Sequence, residues 1–193
     1  ADAALPGQVV RLADRLAAGD PVRLLDVRNR DEFEDWRITG QPVEPTLVPY
    51  MQWLQADAQD TVADRATEID GQGPITVVCG KGEASAYVAG LLTEAGIDAH
   101  NLEDGMDGWA RVDRTLELPG EGPTVVQFQR PASGCLSYLV VAGDEAAVID
   151  PLRAFTDRYV DAATDRDAEI TRVFDTHVHA DHVSGLPELA AET

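Results

Sequence analysis

The chain is almost free of lysine: Lys81 stands alone beside fourteen arginines, while 22 aspartates and 13 glutamates bring the formal net charge to -20. It has only two cysteines, Cys79 and Cys135, few aromatics (6%) and no apolar run near the ~18 residues a membrane span needs. Each shortage excludes something. A field this negative repels nucleic acid and anionic membrane surfaces, so neither is an expected partner. Two cysteines make no disulfide framework. With nothing resembling a signal peptide, the expected setting is a reducing cytoplasm. Internal repeats and low-complexity tracts are absent. With 44% hydrophobic and 26% charged residues, the 193 residues suit one generous globular domain, or one domain and part of another.

The acids are spread rather than gathered in a tail. Residues 1–115 hold 10 basic and 21 acidic residues (net -11), and residues 116–193 hold 5 and 14 (net -9). An even, Asp-rich, nearly Lys-free surface is similar to that of proteins from salt-loving microbes. The expectation is a fold that needs high salt, because at about 1 M the Debye length falls to roughly 3 Å and screens the self-repulsion.

Strands and helices alternate through the first half. The spacing predicts a helix over 9–18 and a strand over 22–27, then a short helix or loop from Asp31 to Trp36 and a strand at Leu47–Val48. One or two acidic helices over 51–69 and a buried strand over 75–78 come next. A helix over 84–95 closed by Gly96, a strand over 99–102 and a helix over 106–112 complete the set. This rhythm predicts an α/β domain, residues 1–115, with a parallel sheet flanked by helices. The composition of 116–123, LELPGEGP, predicts a linker. Beyond it come close-spaced strands over 125–128, 136–141 and 146–149, a helix over 153–163 and a strand over 170–174. Asp175-Thr176-His177-Val178-His179-Ala180-Asp181-His182 follows, an octet with three of the four histidines.

Cys79 follows one strand directly and precedes a helix, with Gly80, Lys81, Gly82, Glu83 and Ala84 before Ser85. Small residues let the backbone curl so that several N–H groups point at one spot, an anion-binding nest. A thiol there, near a helix N-terminus and one lysine, is expected to have a lowered pKa and to be nucleophilic. Taken alone, a small buried cysteine at a strand end is the simpler reading, but the strand, glycine-rich loop and helix around this one favour the reactive reading.

On these residues, 5 to about 115 resemble a rhodanese domain, a sulfurtransferase fold. LLDVR (24–28) with Glu32-Phe33 is similar to the family's first landmark, CGKGEAS (79–85) to its C-x-x-G-x-x-S active loop, and NLEDGMDGWA (101–110) to its closing segment. The resemblance implies that Cys79 is the nucleophile, that Gly80–Ser85 hold the persulfide, and that no cofactor is needed. Two departures stand out. Ala84 occupies a position where many rhodaneses carry an arginine that holds anionic donors, and Trp36-Arg37-Ile38-Thr39-Gly40 replaces a usual Gly-His-Ile-Pro-Gly. A related phosphatase loop ends in an arginine, but Ser85 stands there and no arginine lies between 66 and 110, so phosphate chemistry is discounted. Asp26 and Arg28 read as a structural pair, and Trp109 as core.

In the octet, His177 and His179 can face one side at a strand end, with Asp181 and His182 in the following turn. Imidazoles and carboxylates at this density suit zinc or iron; Asp175 is expected to support the loop. GCLSYLV (134–140), VIDPLR (148–153) and THVHADHVSG (176–185) resemble the start of a metallo-β-lactamase αββα fold, in its persulfide dioxygenase and glyoxalase II branch. That resemblance implies His177, His179, Asp181 and His182 as part of a metal site whose further ligands lie downstream. Iron or zinc is therefore expected only with the remainder of that domain, and residues 124–193 are expected to be its N-terminal portion, a fragment of a longer fusion with an apolar sheet face left open. Cys135 is expected at a strand edge, in a packing role.

The leading expectation is a sulfurtransferase, partnered by small sulfur donors and thiol acceptors, with oligomerisation open, in a rhodanese–persulfide dioxygenase-like fusion. The alternatives are a glyoxalase II-like metallohydrolase and a rhodanese-like binding module without turnover.

Overall fold

Ile75–Val78 is a short, almost wholly apolar segment, the pattern of a strand covered on both faces, and Arg23–Asp26 has an apolar centre, Leu24-Leu25. In the computed structural model, which describes residues 7–40, 43–54, 59–69, 73–180 and 182–192, they lie side by side. The chain divides into two units, Ala1–Val112 and Asp113–Thr193. In the first unit, β1 (Arg23–Asp26), β2 (Thr46–Leu47), β3 (Ile75–Val78) and β4 (Ala99–Asn101) form a parallel sheet in the order β2-β1-β3-β4. Helices precede, connect and follow them: α1 (Gly7–Ala18), α2 (Arg30–Asp35), α3 (Tyr50–Leu54), α4 (Gln59–Ala66), α5 (Glu83–Glu94) and α6 (Gly105–Trp109).

Strand residues alternate faces, so Leu25, Ile75 and Val77 point to one side, where they share a core with Trp53 of α3, Val62 of α4 and Val88 and Leu92 of α5. The buried set of α5, Ser85, Val88, Ala89 and Leu92, repeats every three to four residues, the stripe an amphipathic helix turns inward. On the opposite face Leu12 of α1 lines a depression with Thr76 and Leu102. Trp109 is core, as expected. Asp26 and Arg28 form a buried ion pair at 2.7 Å, a structural pair.

The second unit is a five-stranded sheet in the order β5-β6-β7-β8-β9: β5 (Arg114–Leu118), β6 (Thr124–Arg130), β7 (Cys135–Ala142), β8 (Glu145–Ile149) and β9 (Glu169–Phe174). Neighbours are antiparallel except β8 and β9, which are parallel around the crossover helix α7 (Thr156–Thr164). Leu116–Leu118, expected in a linker, are instead the end of β5, paired with Gln127–Val125. Cys135 opens β7 and packs in the core, the place and role expected of it.

That core joins Val126, Phe128, Leu139 and Val148 to Leu152, to Tyr159 of α7 and to Leu189 of α8 (Leu186–Glu192). The Tyr159 ring is fully buried, so its hydroxyl needs partners. It meets Ser137 Oγ at 2.6 Å and accepts the Leu152 N–H at 3.0 Å. The sheet's other face exposes Leu116, Leu136 and Phe174, at 46%, 42% and 50%.

Candidate functional site

β3 ends at Val78 and delivers Cys79 to the C-terminal edge of the parallel sheet, where loops of open α/β sheets collect ligands. Gly82 turns the loop with φ +102°, a conformation glycine adopts without cost. The turn aims the Gly82 N–H at Cys79 Sγ, 3.1 Å away, and Ser85, buried in the first turn of α5, donates its hydroxyl to the same sulfur at 3.1 Å. Burial pushes the Cys79 thiol up, but the Ser85 hydroxyl and the backbone amides of Ser85, Gly82 and Lys81 outweigh it, and the thiol lies below its ordinary value. Cys79 is 6% exposed. Lys81 and Glu83 are exposed and Ala84 half-buried.

The loop is also held from behind. Met106 N–H donates to the Cys79 carbonyl at 2.9 Å, and Asp107 N–H to that of Gly80 at 3.0 Å. Gly105 makes this approach possible: with φ +49°, a Cβ there would sit 2.1 Å from the Cys79 carbonyl oxygen. Sequence reasoning placed this segment as a helix near the domain's end without seeing its role; the Asp-Gly pair at 104–105 was the available signal.

The second cluster lies after β9. His177 and His179 come together with Asp150, a residue the sequence reading did not single out. One ligand atom from each of the three lies within 4.8 Å of the others. Asp150 Oδ1 accepts the Thr176 N–H at 2.6 Å and contacts His179 Nε2 at 3.1 Å, while the Thr176 hydroxyl lies 2.8 Å from Asp150 Oδ2 and 2.8 Å from His177 Nδ1. Burial raises the Asp150 carboxyl, but these bonds from Thr176 and His179 outweigh it and hold it low. Its backbone is left-handed at φ +52°, unusual outside glycine. His182 joins the group through its ring, whose centroid lies 4.1 Å from that of His179, as the centroid of His177 also does. Asp175 accepts two contacts from Ser184 Oγ, at 3.0 and 2.8 Å, the loop support expected of it. Asp181 lies outside the described residues. Two imidazoles and a carboxylate so close fit a zinc or iron ion by donor type.

The family model of the Rhodanese-like domain matches residues 9–112, more than half of the chain. This chain belongs to that family. The Metallo-beta-lactamase superfamily model matches residues 130–193. Over 52 residues the chain is 42% identical to a hydroxyacylglutathione hydrolase of Parasynechococcus marenigrum, covering 27% of this chain and 20% of that protein. It is 36% identical over 110 residues to the adenylyltransferase and sulfurtransferase uba4 of Pyricularia oryzae, covering 51% and 22%. The chain thus spans about a fifth of each curated relative. A crystal structure of a rhodanese-like domain protein from Staphylococcus aureus is 31% identical, with a TM-score of 0.40, covering 52% of this chain and 86% of that one. The rhodanese-like unit is followed by a partial metallo-β-lactamase segment, and a sulfurtransferase-type or rhodanese-domain function is supported. Among the described residues no helix is long and apolar enough to cross a membrane.

Proposed function

We propose that the rhodanese-like unit moves sulfane sulfur through a persulfide on Cys79. The observation that carries this reading is the pair of donors, Gly82 N–H and Ser85 O–H, each 3.1 Å from the sulfur. They favour the thiolate, the form that attacks a sulfur atom. The Cys79 thiolate attacks the terminal sulfur of a donor, the donor's S–S bond breaks, and the pair leaves with the donor remnant. The anionic outer sulfur then lies among the loop amides. A thiol or cyanide acceptor takes that sulfur and returns Cys79 to thiolate. No cofactor enters these steps, and the partners are small sulfur compounds in a reducing cytoplasm.

Intact-mass spectrometry in high KCl, after incubation with thiosulfate or a small persulfide, tests this. The expected result is a gain of one sulfur atom, removed by cyanide and absent in Cys79→Ser. Folded protein that gains no sulfur from any donor supports the binding-module reading instead.

A second reading concerns Asp150, His177 and His179, whose convergence favours a metal-dependent unit; the resemblance of the motif leaves two types for it, a persulfide dioxygenase or a glyoxalase II-like thioester hydrolase. A bound metal ion there supplies Lewis acidity and, if it is iron, chemistry with O2. Asp150 and Thr176 orient the two imidazoles for it. Elemental analysis of the full-length protein, with the remainder of that domain, purified without chelators separates the two: iron supports the first, zinc the second.

A further inference from the structure

Arg28, Arg30 and Arg37 follow β1, and each already has a partner. The Val27 N–H donates to the Val78 carbonyl at 2.9 Å, which sets Arg28 alongside the start of the cysteine loop. The Arg28 guanidinium is buried against Asp26 and donates to the carbonyls of Glu32 and Trp36. Further along that segment Arg30 pairs with Glu34 at 3.6 Å, and Arg37 lies over the Phe33 ring at 5.1 Å. Within the loop, Lys81 and Glu83 are both exposed and carry opposite charges. With Cys79 ionised, the loop side chains sum to one negative charge (+1, -1 and -1). A dianion approaching the sulfur meets net repulsion from them.

An organic body meets something different. The Tyr50 N–H donates to the Val27 carbonyl at 2.8 Å, so Tyr50 stands at the same end of the sheet. Its ring meets that of Tyr87 edge-on at 5.8 Å. Tyr87 is 47% exposed on α5, four residues after Glu83. Tyr50 and Ala84 pack on the core cluster that contains Cys79.

Taking Cys79 as the sulfur carrier, we infer that its donor is an organic persulfide or thiosulfonate bearing one negative charge near the sulfur, with Glu83 discriminating against inorganic dianions and Tyr87 receiving the organic body. The transfer balances without an oxidant. Cys79 thiolate and an organic persulfide anion give Cys79 persulfide anion and the organic thiolate; with a thiosulfonate the sulfinate leaves in the thiolate's place.

The test compares thiosulfate, a dianion, with benzenethiosulfonate, an aromatic monoanion. It measures kcat/KM for each in wild type, Glu83→Gln and Tyr87→Ala, with persulfide formation on Cys79 followed by mass and the fold by circular dichroism. Glu83→Gln is expected to raise the thiosulfate to benzenethiosulfonate ratio about tenfold at low salt, and less in molar KCl, because one charge is removed near a donor that carries one more. Tyr87→Ala is expected to shift the ratio the same way by about fivefold, with the larger loss falling on benzenethiosulfonate. Cys79 persulfide that forms with a ratio unmoved in both variants overturns the specificity assignment alone. Folded protein in which Cys79 takes sulfur from neither donor overturns the sulfurtransferase reading and the specificity assignment with it.

Discussion

Cys79 sits where burial and hydrogen bonding pull in opposite directions. Burial alone raises a thiol, yet the bonds from Ser85, Gly82 and Lys81 win and the thiol lies below its ordinary value of 9.0. These bonds therefore stabilise the fold fully above that value, and their contribution is lost as the pH falls through the lower, folded one. Alkylation of Cys79 by iodoacetamide is accordingly expected to reach half its maximum below pH 9. Ser85→Ala removes a donor to a charged acceptor, so it is expected to move that midpoint upward and to slow alkylation near neutral pH by about tenfold. An unmoved midpoint in a folded variant would show that the backbone amides alone hold the thiolate. Gly105 tests the other side of the loop. A Cβ 2.1 Å from the Cys79 carbonyl oxygen has no room, because the obstacle is backbone. Gly105→Ala is expected to cost about 2–4 kcal/mol in urea unfolding and to lower sulfur transfer as the loop shifts; wild-type stability would show the two segments are free to part.

At the scale of elements, the strand–loop–helix around Cys79 was legible because its parts are contiguous. A buried strand, small residues and a helix at 3.6-residue spacing all fall within twenty positions. The metal-type cluster was half legible for the opposite reason. His177 and His179 are neighbours in sequence, but Asp150 comes from the end of β8, brought close because β8 and β9 run parallel, with Asp150 N–H donating to the Phe174 carbonyl at 2.8 Å. Nothing local in Val148-Ile149-Asp150-Pro151 announces that pairing. The misread linker has a similar cause. Thr115–Leu118 alternates polar and apolar residues for only four positions before Pro119 and Gly120, so turn composition outweighed a strand signal that register with β6 makes real. The braced geometry of Asp150 makes its own prediction. Asp150→Asn keeps the shape but loses charge, and in the full-length protein, with the remainder of the domain, it is expected to weaken cobalt or zinc binding, followed by cobalt absorption or chelator competition, by about 10–100-fold with the thermal midpoint of the apoprotein little changed. Equal affinity in the two proteins would place Asp150 in a purely structural role.

At the scale of the whole molecule, the charge of -20 sets two electrostatic effects against each other. Salt screens long-range repulsion among 35 acids, which favours the folded chain. It also weakens the exposed ion pairs that bind within each unit, such as Arg111–Asp104 at 2.9 Å and Arg166–Glu117 at 2.9 Å. Exposed pairs of this kind contribute only about 0–1 kcal/mol each. Fifteen basic residues face 35 acids, so the repulsion is the larger effect and the net response should be stabilising. Its shape carries the diagnosis. The Debye length falls from about 10 Å at 0.1 M to about 3 Å at 1 M, so a screening effect rises steeply at first and flattens near molar salt. Stabilisation by surface exclusion continues upward and is shared by uncharged solutes such as sucrose. We propose that the fold is adapted to high salt, and expect the thermal midpoint to climb between 0.1 and 1 M KCl and then level, with sucrose giving no comparable initial rise. A melting curve independent of KCl would mean that the acids are already balanced locally, and that the composition reflects something other than a saline interior.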